Sequence, residues 1–220
     1  MPFSRFDPQE LLIDAVIIVV MLGVAFPVHE FSHALAAYRL GDSTARFLGR
    51  LTLDPRAHFD PYGGLLMVIS VLGGVGIGWA KPTPYNPYNL RGGKWGEAIV
   101  AVAGPISNFV LALAAAIPLR YILATNMDVE LLAIGLSFFV HINLLLMVFN
   151  LIPIPPLDGS KVLYAFLDPQ TERQVRPVLE QYGMFILLAL IFLPFIGGPS
   201  ILGTVFNEIV DPIERLLVGA

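Results

Sequence analysis

Long apolar runs dominate the chain, separated by short polar clusters, a pattern with the repeat length of membrane crossings. Four stretches, at about residues 11–38, 95–123, 131–153 and 180–206, reach the roughly 20 residues a helix needs to cross the hydrocarbon layer. The last is interrupted by Pro194, Gly197, Gly198 and Pro199, which predicts a helix followed by a short interfacial piece rather than one rod. A fifth stretch, Tyr62 to Trp79, is shorter and holds six glycines, at 63, 64, 73, 74, 76 and 78. It either crosses or re-enters. The segment Ala45 to Pro61 is too polar to cross and ends in Asp-Pro turn signals, and the alternation Arg50-Leu51-Thr52-Leu53 predicts a short strand whose edge could pair with an added strand.

Charge decides between the two readings of residues 62–79, because Lys and Arg collect in cytoplasmic loops. If the stretch re-enters, Arg39, Arg46, Arg50, Arg56, Lys81, Arg91, Lys94, Lys161, Arg173 and Arg176 share one side, leaving Arg5, Arg120 and Arg215 opposite. If it crosses, most of that bias disappears. The predicted fold is therefore an all-α polytopic membrane protein. It has about four transmembrane helices, a re-entrant or short fifth segment, a small strand-like hairpin and both termini outside.

Composition agrees: 56% of the 220 residues are hydrophobic and 14% charged, against roughly 25% charged in soluble domains. A net charge of −4 without a basic run excludes a nucleic-acid footprint. No cysteine is present, so a metal site must use His and carboxylates. The first apolar stretch follows Arg5, Asp7 and Glu10 and lacks a small-residue cleavage site, which predicts a retained anchor. With no linker or repeat, residues 1–220 read as a single membrane domain.

The sharpest chemical signal is His29-Glu30-Phe31-Ser32-His33, an H-E-x-x-H near the inner end of the first apolar stretch. Positions i and i+4 share a helix face, so both imidazoles can reach one zinc with Glu30 beside it. A charge at the centre of a transmembrane helix costs about 2.5–3.5 kcal/mol, which argues against a chance match. Catalytic zinc takes three protein ligands plus water. The remaining histidines are His58, in a loop, and His141, in an apolar helix, and the best-placed carboxylate is Asp158. Pro153, Pro155 and Pro156 forbid helix just before it, and irregular backbone at membrane depth belongs beside protein or a water-filled cavity.

HEFSH at 29–33, AGPISN at 103–108 and NLIPIPPLDG at 150–159 together resemble the site-2 protease family of intramembrane metalloproteases. The resemblance covers most of the chain. It implies His29, His33 and Asp158 as ligands of Zn2+, Glu30 as catalytic base, a core of three helices carrying the motifs, and an active site near the cytoplasm. No PDZ or CBS domain is visible within the chain. The expected location is the prokaryotic inner membrane, with other transmembrane proteins as substrates and the lipid bilayer as surroundings. Asn108 and Asn150, side-chain amides within the motifs, are candidates for catalytic support or for interhelical hydrogen bonding.

Other polar positions read as structural. His141 and Asn143 are expected to bond neighbouring helices, His58 to sit exposed with a structural role left open by its HxDPxG context, and Asp14 to lie near the outer interface. The glycines at 73–78 follow no βαβ pattern and predict close packing or a bend. Two other functions fit membrane His and Asp residues: a zinc or proton-coupled transporter and an inactive scaffold. Absence of a repeat argues against the first, and the intact Glu30 against the second.

Overall fold

The computed structural model describes residues 15–16, 18–72, 78–125 and 127–219, and all regular structure among them is helical. Asp14, Gly73, Gly74 and Gly76 lie outside the described residues. In chain order the helices are α1 (Ile18–Arg39), α2 (Thr44–Phe47), α3 (Pro55–His58), α4 (Pro61–Leu72), α5 (Lys94–Thr125), α6 (Glu130–Asn150), α7 (Gly159–Phe166), α8 (Pro169–Phe192) and α9 (Ile201–Val218). Four are long and apolar enough to cross a membrane: α1, α5, α6, and α8 with the 3-10 turn Leu193–Ile196 that prolongs it.

Helix α1 contains one wide π turn, Met21–Ala25, before continuing as α-helix from Phe26. Pro27 lacks an N–H and its ring crowds the preceding turn, so a wider turn upstream accommodates it. Helix α5 is central and packs against α1, α6 and α7. Its buried face is lined by Gly96, Ala98, Ala101, Gly104, Ala112, Ala115 and Ala116. Small side chains let helix backbones approach closely where lipid supplies no hydrophobic drive between helices. The main core adds Leu119, Val140, Leu144 and Val210, while outward residues such as Val110, Ile117 and Leu131 stay exposed, as a lipid solvent permits.

The stretch 62–79 contributes a helix of 12 residues, roughly 18 Å at 1.5 Å per residue and too short for a core of about 30 Å. The chain then leaves beside its point of entry. A Cβ at Gly63 would lie 2.1 Å from the carbonyl oxygen of Trp79, and one at Gly78 would lie 2.5 Å from Met67 Cβ. Lys81 N–H donates to the carbonyl of His58 at 2.9 Å. The described ends of the segment thus meet at one end of the bundle, and Gly63 and Gly78 permit that contact.

Three expectations are corrected. Residues 50–53 form a bend, not a strand: Arg50 is buried, and the Thr52 carbonyl accepts from His58 Nε2 at 2.8 Å. His58 is accordingly buried rather than exposed, its Nδ1 facing Arg50 Nη2 at 3.4 Å. The final apolar stretch is not a helix with a short appendage. Helix α8 begins at Pro169, Gly197 breaks the chain at φ 85°, and α9 is a helix of 18 residues. Helix α9 runs antiparallel to α6: Phe206 meets Phe149, His141 Nδ1 pairs with Glu214 Oε2 at 2.7 Å, and a Cβ at Gly219 would lie 3.0 Å from Arg120 Nε. Its C-terminus therefore lies at the Arg120 end, away from Arg39, Arg50, Lys81 and Arg91, which are joined to one another's loops.

Candidate metal centre

His29 and His33 lie one turn apart on the buried face of α1, with ring centroids 4.6 Å apart and planes nearly perpendicular. Asp158 comes from the irregular loop between α6 and α7. Pro153 cannot continue α6, and Gly159 lets the loop fold back, since a Cβ there would lie 2.2 Å from the carbonyl oxygen of Leu151. Asp158 is the N-cap of α7 yet makes no capping hydrogen bond. Its carboxylate is instead turned to the imidazoles, with Oδ2 at 3.2 Å from both His29 Nε2 and His33 Nε2, and those two nitrogens are 3.0 Å apart. Lys161 Nζ lies 3.6 Å from the other oxygen.

The outer partners fix the tautomers. His33 Nδ1 faces the Val100 carbonyl at 2.7 Å; a carbonyl only accepts, so Nδ1 carries the proton and Nε2 the lone pair. His29 Nδ1 faces Asn108 Oδ1 at 2.6 Å. Asn108 is held in that orientation because its Nδ2 donates to Asn143 Oδ1 at 3.0 Å, and Asn143 Nδ2 donates to the Phe139 carbonyl at 2.9 Å. The relay runs across α6, α5 and α1 and leaves His29 Nε2 unprotonated as well. Two nitrogen lone pairs and a carboxylate oxygen converging within 3.2 Å repel one another unless a cation sits between them.

Gly104 on α5 completes the cradle. A Cβ there would lie 2.5 Å from His33 Nε2 and 2.6 Å from His29 Nε2, so this helix face must be bare for the donors to share an ion. The residues thus fit a metal, and His, His and carboxylate is a donor set suited to catalytic zinc. Among the described residues, His29, His33 and Asp158 are the one group of three His, Asp or Glu that could hold an ion.

Glu30 projects from the same turn of α1, with Oε2 accepting from Thr83 N–H at 2.7 Å. Asn108 is fully buried behind His29, with its amide oxygen on the Nδ1 side of the ring. Asn150 closes α6, and its Nδ2 donates to the Leu146 carbonyl at 3.0 Å. Gly104, Asn143 and Thr83 entered the site without having been singled out for it. A signal for each exists: a glycine inside a helix, an amide at membrane depth, and one threonine between two prolines. Because metal-ligating imidazoles depend on such outer partners, Asn108→Leu is expected to weaken zinc binding by about 10–100-fold, measured by competition with a chromogenic chelator. Unchanged affinity would show that Asn108 does not orient His29.

Residues 122–194 match the model of peptidase family M50. YwhC of Bacillus subtilis, provisionally named a zinc metalloprotease, is 35% identical over 204 residues, covering 90% of this chain and 90% of YwhC. Rip2 of Mycobacterium tuberculosis, named likewise, is 34% identical over 194 residues, covering 86% of this chain and 73% of Rip2. Rip2 of Mycolicibacterium smegmatis is 32% identical over 183 residues, covering 81% and 68%. No solved structure matches the chain. An apolar helical bundle with a His, His and carboxylate centre, similar along most of its length to these proteins, is a membrane zinc metalloendopeptidase. The chain belongs to peptidase family M50, the site-2 protease family.

Proposed function

We propose that this protein hydrolyses peptide bonds within transmembrane segments of other membrane proteins, with His29, His33 and Asp158 holding zinc and Glu30 as general base. The observation that carries the reading is the convergence of the three donors at 3.0–3.2 Å, beside a glutamate on the turn that supplies two of them. Zinc, when held there, polarises the scissile carbonyl and brings the pKa of a ligated water toward neutrality. Glu30 takes the proton from the attacking water and returns it to the leaving nitrogen. Asn108 and the Val100 carbonyl keep the imidazoles in the ligating tautomer, and Asn150, at the end of α6, is the motif amide left to meet the substrate.

A helical substrate hides its carbonyls in internal hydrogen bonds that lipid cannot replace, so a turn must open before cleavage. In proteoliposomes, a single-spanning substrate with Gly at the cut position is expected to react about fivefold faster than one with Ala, reflecting roughly 1 kcal/mol of helix propensity. Chelation should stop both reactions and zinc restore them. Zinc uptake without cleavage would favour a transporter, and cutting confined to soluble peptides would sink the intramembrane reading.

The metal-binding end of the bundle is proposed to face the cytoplasm of a prokaryotic cell, supported by the arginines and lysines of the loops around it. With no native cysteine, single cysteines at the exposed positions Leu48, Tyr88 and Met127 can be probed in intact cells. An impermeant thiol reagent should label position 127 and spare 48 and 88; the opposite pattern would invert the topology.

A further inference from the structure

Between α4 and α5, residues 78–86 carry no helix or strand and pass alongside α1, from Glu30 to Asp42 just beyond its end. Prolines at 82 and 84 fix φ and push Lys81 and Thr83 into the extended region, so this strap is stiff. The same prolines have no N–H, which makes Thr83 the one amide donor between 82 and 84. That donor goes to Glu30 Oε2 at 2.7 Å, and the Thr83 hydroxyl donates to the carbonyl of Glu30 at 2.9 Å. One residue thus grips both the carboxylate and the backbone of Glu30, and Thr83 is itself buried.

Both ends of the strap are anchored. Upstream, the buried Arg50 donates through Nη2 to the carbonyl of Lys81, and Lys81 N–H donates to the carbonyl of His58 at 2.9 Å. Downstream, Asn86 N–H donates to Asp42 Oδ2 at 2.8 Å, and Asp42 also accepts from Asn89 Nδ2 and the Thr44 hydroxyl. Burial alone would raise the Asp42 carboxyl, but these hydrogen bonds outweigh it and hold the group below the usual carboxylate range. Arg50, His58 and Asp42 are therefore the fasteners of a strap whose middle is fixed on Glu30.

We propose that Thr83 is a positioning residue for Glu30: its N–H holds one carboxylate oxygen so that the other is presented to the attacking water. The proposal rests on Glu30 being the base. A glutamate has three rotatable bonds, and a base must lie within hydrogen-bond reach of the proton it takes. Pinning Oε2 and the backbone removes most of that freedom before substrate arrives, and the reward appears in turnover rather than in substrate affinity.

The test uses the full chain in detergent with zinc. Thr83→Pro removes the N–H while suiting the extended backbone of the strap, and Thr83→Val removes the hydroxyl but keeps the N–H. Thr83→Pro is expected to lower kcat about 10–100-fold with KM and zinc content unchanged, and Thr83→Val, which retains the donor to the carboxylate, to lose less. Independently, amide hydrogen exchange at Thr83 should accelerate about 5–10-fold in Glu30→Ala, and this measurement decides by itself if Thr83→Pro does not fold. Wild-type kcat in a folded Thr83→Pro, or exchange at Thr83 indifferent to Glu30→Ala, overturns the proposal. A fully active Glu30→Gln would instead remove the base assignment and leave the exchange result standing as a purely structural contact.

Discussion

Glu30→Gln is expected to retain roughly one zinc per chain while cleavage falls by about 10²–10⁴-fold, the range supplied by a positioned general base. The substitution is chosen because the amide oxygen of glutamine can still accept from Thr83 N–H, the contact that Glu30 Oε2 makes at 2.7 Å. Shape and strap are preserved; only basicity is lost. The three convergent donors His29, His33 and Asp158 are untouched, so metal content should not move. Asp158→Ala, by contrast, removes the oxygen that lies 3.2 Å from both imidazoles and should lose zinc and activity together. Full activity in Glu30→Gln would place the base elsewhere, and loss of zinc would make Glu30 a ligand. Metal analysis and single-turnover cleavage on one preparation separate these outcomes.

The second large effect is expected from the smallest change available in α5. By helix propensity alone, Gly104→Ala should stabilise the helix by roughly 1 kcal/mol. The added methyl would nevertheless lie 2.5 Å from His33 Nε2 and 2.6 Å from His29 Nε2, in the space a shared ion must occupy. The rings cannot retreat freely, because His33 is tied to Val100 and His29 to Asn108. Zinc binding is therefore expected to weaken by at least about 100-fold, the upper end of what lost outer support does, in a protein whose helix content and Tm are intact. A Gly104→Ala variant with wild-type zinc content and turnover would show that the ion sits away from this face.

Why these residues and not others were readable in the chain follows from range. His29, Glu30 and His33 announce themselves through one helical turn, and Asp158 through the prolines that halt α6 before it; both signals are local. Gly104 and Thr83 act on α1 from 53 to 75 positions away in sequence, and no periodicity within their own segments points there. Residues 50–53 alternate like a strand, yet the Thr52 carbonyl is taken by His58, a partner six positions on that burial brings inward. Helix α9 continues past the apolar stretch that ends near residue 206, through Glu208, Asp211 and Glu214. In the bundle Glu214 has His141 as a partner, and a paired carboxylate is tolerated where an unpaired one is expelled.

The relay from Phe139 through Asn143 and Asn108 to His29, with the Asp158 carboxylate on the other side of that ring, draws on α6, α5, α1 and the loop before α7. No fragment of the chain contains it. During synthesis α1 emerges with its two imidazoles long before Asp158 exists, and α5 must dock before either ring is locked in the ligating tautomer. An incompletely inserted chain thus offers an ion two loosely held nitrogens, a poor competitor for zinc, and no capacity to hydrolyse anything around it. With the proposed ligand set, metal occupancy would report completed assembly of the bundle.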